Sequence, residues 1–227
     1  MEAQGYSRED WQRHYDENDL GWDLGQVAPP FVNLLESKTI IPGKTLVPGC
    51  GRGHEVIYLA ENGFDVTAVD YSKGAVNHLN SVIQERKLSS QILHLDFFTL
   101  DSTHDGLYDL LIEQTFFCAI SPIQRPLYVA TVTRVLKTGG MIAGLFYHTG
   151  QEGGPPFNTT RDDIIKHFSD SFEILELAKT KNSAEQRKDK ELLSAVSQVL
   201  YLSGCKITGI RECKDDNVLL ASAVTMV

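Results

Sequence analysis

Val47-Pro48-Gly49-Cys50-Gly51-Arg52-Gly53-His54-Glu55 is the stretch that decides the fold. Before it stands Lys44–Pro48 (KTLVP), a short apolar run suited to a strand buried on both faces. After it, His54–Asn62 reads as a helix stopped by Gly63. Glycines between a strand and a helix let the backbone turn sharply, approach a ligand closely and point amide N–H groups outward. The spacing is G-x-G-x-G rather than the G-x-G-x-x-G of dinucleotide folds.

Two acids extend the pattern. Phe64–Val69 (FDVTAV) is the second strand, and Asp70 ends it, 21 residues after Gly49. A carboxylate there sits beside the glycine turn and accepts ribose hydroxyls. The competing role, an N-cap for the next helix, falls more naturally to Ser72. Asp96-Phe97 follows a third strand, Gln91–Leu95, and is equally a simple turn or an adenine contact: acid to the exocyclic amine, ring to the face. Together these features predict one crevice at the carboxyl edge of the sheet.

Strands and helices alternate outward from this core. Lys73–Lys87 is a helix with Ala75, Val76, Leu79, Val82 and Ile83 on its apolar stripe. Tyr108–Ile112 and Met141–Tyr147 are strands, with helix Ile123–Leu136 between them stopping at Gly139–Gly140. Thr160–Phe168 is a helix and Phe172–Thr180 a strand. The fold class expected is a doubly wound α/β domain whose mostly parallel sheet closes on an antiparallel final strand. That final strand lies in Leu192–Leu202 or in Val218–Val227, and Lys181–Glu191 reads as a solvated charged turn. Upstream, Ser7 with Asp10 three residues later marks a helix running to Asn18. The whole chain, 1–227, reads as one domain: an N-terminal lid segment (1–37), a cofactor-binding core (43–180) and an unassigned C-terminal segment (192–227).

Composition narrows the partners. A formal charge of −9 disfavours nucleic acid, which needs a basic surface. Cys50, Cys118, Cys205 and Cys213 form no C-x-x-C pair, so no zinc site or disulfide framework is expected. The polar N-terminus has no signal-peptide core, and no run approaches the roughly 18 apolar residues of a membrane span. A cytoplasmic monomer is the expectation, with no metal, nucleic acid or membrane partner.

The run Gly-Cys-Gly-Arg-Gly-His-Glu with Asp70 and Asp96 resembles class I S-adenosylmethionine-dependent methyltransferases, a Rossmann-like fold. Three more segments narrow the likeness: Trp11-x-x-x-Tyr15 with Gly21-Trp22-Asp23-Leu24-Gly25, Phe116-Phe117-Cys118-Ala119-Ile120-Ser121-Pro122-x-x-Arg125, and Gly153-Gly154-Pro155-Pro156-Phe157. These resemble the thiopurine S-methyltransferase superfamily, in particular its thiol and halide branch, over about residues 8–190. The resemblance implies S-adenosylmethionine as cofactor and a small thiol, thiopurine or halide as acceptor. It places Trp11, Tyr15, Trp22, Gly49, Asp70, Asp96, Phe97 and Gln114 on the cofactor; Cys50, Gly51, Gly53 and Tyr71 complete the expected set. Tyr15 and Gln114 depart from the Trp and Tyr usual in plant members.

Methyl transfer from a sulfonium to an anionic acceptor is an in-line displacement in which opposite charges vanish, so a dry, orienting site favours it. Aromatic faces add cation–π attraction of roughly 0.5–2 kcal/mol. Phe116 and Phe157 are the expected acceptor-pocket walls, with ordinary core packing the other reading and an equal one for Phe116. Arg125 is the expected acceptor-steering cation, or else a surface or helix-face arginine. Trp11 and Tyr15, four apart on one helix, form with Trp22 either a lid or a docking patch. His54 suits the cofactor carboxylate or simple packing, and Cys50 is a small packing residue rather than a nucleophile. An NAD-dependent oxidoreductase and a non-catalytic scaffold are the other readings of such a sheet.

Overall fold

A computed structural model describes residues 5–198 in full and, beyond them, only four two-residue strands. The sheet runs β1 (Lys44–Pro48), β2 (Asp65–Asp70), β3 (Ser90–His94), β4 (Tyr108–Gln114), β5 (Leu136–Tyr147), β6 (Phe172–Lys179) and β7 (Glu191–Gln198), in spatial order 3-2-1-4-5-7-6. β1 to β5 pair in parallel, and β7 inserts antiparallel between β5 and β6. The antiparallel strand thus comes from the first of the two candidate runs. Of Val218–Val227 only Leu219–Leu220 is described, paired with Arg211–Glu212 apart from the main sheet.

The helices are α1 (Arg8–Glu17), α2 (Pro29–Glu36), α3 (His54–Glu61), α4 (Lys73–Glu85), α5 (Phe116–Ala119), α6 (Arg125–Val135) and α7 (Arg161–Phe168). Neighbouring residues of one strand face opposite sides. Leu46 and Leu111 join Tyr128, Val132 and Phe168 in one core, while Val47, Leu110 and Ile112 join Val56, Leu79 and Phe31 in the other. Burial on both faces is why β1 and β4 read as continuous apolar runs rather than alternating ones.

Three local expectations change. The glycine pair does not end α6: the chain passes into β5 at Leu136, and Gly139–Gly140 lie within that strand, where β4 and β5 shift register. Ser72 occupies the N-cap of α4 but makes no side-chain cap bond. Gln12 of α1 caps that helix instead, its Oε1 accepting from Gly74 N and Ser72 Oγ at 3.1 Å each. Lys181–Glu191 is not simply a solvated turn, because Arg187 and Glu191 are buried.

Candidate active site

β1 ends and α3 begins through Gly49, Gly51 and Gly53, all at positive φ (+56°, +55°, +75°). Only glycine adopts this conformation cheaply, and space adds a second constraint. A Cβ on Gly49 would lie 2.2 Å from the Phe116 ring, and one on Gly53 2.4 Å from Leu79. Gly51 N donates to Asp70 Oδ2 (3.0 Å), and Ser72 N donates to its Oδ1 (2.8 Å). Burial raises the Asp70 carboxyl pKa, and those two amides work against the rise. Asp70 is therefore fixed by the very loop it flanks, with lone pairs left for ligand hydroxyls.

One cavity of about 770 Å³ opens along this edge. Gly49, Cys50, Gly51, Gly53, Asp70, Tyr71 and Asp96 line one part of it. Trp11, Tyr15 and Trp22 form a wall from the N-terminal segment, and Gln114 and Phe116 line the floor. Trp22 packs edge-on against Trp11 (5.1 Å) and Tyr15 (5.9 Å). Among the described residues the buried Oε1 of Gln114 has no hydrogen-bond partner, an acceptor left for a ligand donor.

Three expected site residues lie elsewhere. Phe97 is 2% exposed, in the core against Tyr128, while Phe98 lines the cavity. Asp96 caps a tight turn by accepting from Phe98 N (3.0 Å), which sends Phe97 inward. Phe157 is 3% exposed and its N donates to Cys118 O (2.7 Å); Pro155 and Pro156 reach the cavity in its place. Arg125, also 3% exposed, donates to Asn158 O (2.9 Å) and sits 4.7 Å over the Phe117 ring. It braces the loop before α7 and does not line the cavity described above.

Arg187 is the cation that sequence reasoning missed. It lines the cavity, donates to Trp22 O (2.7 Å) and stacks on the Tyr147 ring (4.6 Å). Nothing in its charged surroundings announces it, since β7 only folds back beside β5 in three dimensions. Tyr147, at the carboxyl end of β5, was readable as a strand-end residue of the same edge. Beside them Cys118 lines the cavity too, but burial pushes its thiol up to about 12, so it is no thiolate nucleophile at neutral pH.

Further bonds tie the N-terminal segment down. His54 Nε2 pairs with Asp23 Oδ1 (2.6 Å), raising the His54 pKa and lowering that of Asp23. Arg52 meets Asn18 Oδ1 (2.7 Å), and buried Glu55 accepts from Ala28 N (2.9 Å). His54 therefore joins the glycine loop to the N-terminal segment. Below the floor, Glu113 is fully buried, accepts from Tyr128 Oη (2.6 Å) and Phe117 N (2.8 Å), and its pKa rises to about 7 by desolvation. Its carboxyl holds the first turn of α5, which carries Phe116 and Cys118. Among the described residues, no cluster of His, Cys, Asp and Glu suits a metal, and no helix is long and apolar enough to cross a membrane.

Comparison with known proteins bears on this geometry. The family model for thiopurine S-methyltransferase matches residues 6–204. The chain is 31% identical over 188 residues to "Probable thiol methyltransferase 2" of Arabidopsis thaliana, covering 81% of this chain and 82% of that one. It is 30% identical over 189 residues to "Thiocyanate methyltransferase 1" of the same plant, with the same two coverages. A similar fold (TM-score 0.69, 16% identity, 84% of this chain and 86% of that one) occurs in a Burkholderia thailandensis 1,6-didemethyltoxoflavin-N1-methyltransferase solved with S-adenosylhomocysteine. On the family match, the chain belongs to the thiopurine S-methyltransferase family and is an S-adenosylmethionine-dependent methyltransferase.

Proposed function

We propose that the enzyme methylates a small, soft sulfur nucleophile, a thiol or thiocyanate, by in-line displacement, with halide ions as chemically similar acceptors. The carrying observation is the continuity of the cavity: the glycine rim leads directly to a wall of Phe116, Cys118, Tyr147, Pro155 and Pro156 with Arg187 beside it. Bound S-adenosylmethionine supplies an electrophilic methyl on a positive sulfur. Asp70 would take the ribose hydroxyls, and Asp96 with Phe98 the adenine. Trp11, Tyr15 and Trp22 would cover the methionine end.

The acceptor end has the composition that charge-annihilating transfer needs. Apolar and aromatic side chains exclude water, and one guanidinium attracts an anion without being able to bind a cationic competitor. Arg187 is held on both sides, by the Trp22 carbonyl and the Tyr147 ring, so little of its freedom remains to be lost on binding. Because its hydrogen bond ends on the lid segment, closing that segment and placing the cation are one event. The names of the plant relatives, thiol and thiocyanate methyltransferases, agree with this acceptor class.

The test is a panel of thiols, thiocyanate, iodide, amines and catechols incubated with S-adenosylmethionine, scored for S-adenosylhomocysteine. The proposal expects turnover of the sulfur and halide acceptors. Turnover confined to amines or oxygen acceptors would overturn it.

A further inference from the structure

A thiol, unlike thiocyanate or a halide, must lose a proton before or as it is methylated. We infer that His14, oriented by Asp19, takes that proton. This rests on the S-methyl transfer reading above and adds a base to it.

His14 sits in the last turn of α1 and lines the cavity, as does Asp19. Its Nδ1 lies 3.2 Å from Asp19 Oδ2. The backbone closes the same pair, with Asp19 N donating to His14 O at 2.9 Å. The helix ends between them at Asn18 in a left-handed conformation, which turns Asp19 back towards the ring. A carboxylate on Nδ1–H fixes the tautomer and leaves Nε2 as the basic nitrogen. Among the described residues, Nε2 has no hydrogen-bond partner.

The imidazole belongs to the N-terminal wall of the cavity. It packs at 5.4 Å against Trp22 and stacks at 5.2 Å on Tyr6. Trp22 in turn touches Tyr15, whose hydroxyl lies against Gly51, and its carbonyl binds Arg187. Trp22 and Tyr15 thus link His14 to the glycine loop, and Trp22 alone links it to the Arg187–Tyr147 wall. His54, the other histidine of the cavity, has its Nε2 committed to Asp23, which also faces Arg52 at 3.5 Å. Tyr6 stacks on the His14 ring, and among the described residues Asp19 is the charged group bonded to its side chain. The His14 side chain is 19% exposed and that of Asp19 69%, so the accepted proton has a route to water.

In the step proposed, the thiol S–H proton passes to Nε2 while the sulfur lone pair forms the new S–CH3 bond and the sulfonium C–S bond breaks. The imidazolium then returns its proton to solvent. The gain is bounded: a thiol of pKa near 9 is about 1% ionised at pH 7, so a base can raise its rate by at most about a hundredfold.

The experiment compares an alkyl thiol of pKa near 9 with thiocyanate, in wild type and in His14→Gln. The expected result at pH 7 is a fall of tenfold or more in the thiol-to-thiocyanate ratio of kcat/KM. The variant should recover this ratio as pH approaches the thiol's own pKa. A purely packing role would slow both acceptors alike; an unchanged ratio overturns the inference. A second readout is free of turnover: 15N shifts of the His14 ring in the apoenzyme should report the Nδ1–H tautomer, lost in Asp19→Asn. A proton resident on Nε2 would also overturn it. Failure of the wild type to methylate either acceptor defeats the underlying reading instead.

Discussion

Asp70→Asn isolates the role of one carboxylate with almost no change in volume. The native side chain accepts from Gly51 N on Oδ2 and from Ser72 N on Oδ1. In the variant one oxygen becomes an NH2, so the amide can satisfy only one of the two donors and presents a donor to the other. A charge-assisted hydrogen bond contributes about 1.5–3 kcal/mol. Losing one such bond to a ribose hydroxyl weakens cofactor binding by about 10- to 150-fold, at about 1.4 kcal/mol per tenfold. The orphaned amide costs stability of about 1–2 kcal/mol as well, a drop in Tm of about 2–8 °C for a chain of this size. Calorimetric titration with S-adenosylhomocysteine measures the first quantity and scanning calorimetry of the apoenzyme the second. A variant that binds within twofold of wild type would refute the assignment of Asp70 to the cofactor. A Tm loss without an affinity loss would leave Asp70 only as a brace of the glycine loop.

The His54–Asp23 pair predicts a pH window. A raised His54 pKa gives stability that is complete below the unfolded value near 6.5 and fades as pH climbs through the folded value; a lowered Asp23 pKa gives stability lost as pH falls below about 4. The Tm difference between wild type and His54→Gln should therefore be largest between about pH 4 and 6.5 and shrink towards pH 9; a constant difference would contradict the pairing. Glu113 acts with the opposite sign for an acid: its folded pKa of about 7 makes wild type lose stability as pH rises from the unfolded value of 4.5. Glu113→Gln should flatten that slope in pH-dependent melting curves while loosening α5 and so raising KM more than it lowers kcat. A slope that persists in the variant would assign the titration to another group.

The order of elements and the edge that carries the cavity were legible because they depend on short-range rules. A strand, a glycine turn and a helix follow one another in sequence, and Asp70 lies at a strand end whose neighbour is fixed by parallel topology. The failures lie where position depends on contacts distant in sequence or on the parity of one turn. Phe97 and Phe98 are both aromatic, and only the Asp96 cap decides which points inward. Arg125 stands in a recognisable motif and Arg187 in an unremarkable charged stretch; the return of β7 beside β5 brings Arg187 within reach of Trp22, 165 residues away. Gln12 caps α4 from another helix, a role that Ser72 had the better local claim to. Phe157 and Pro155–Pro156 share one loop, and burial sorted them.

The most direct test is a crystal structure of the enzyme with S-adenosylhomocysteine. The account predicts the ribose hydroxyls on Asp70, the adenine between Asp96 and Phe98, and the thioether sulfur facing the wall that holds Tyr147 and Arg187. Nucleoside bound at any other edge of the sheet, or a thioether turned away from that wall, would contradict it.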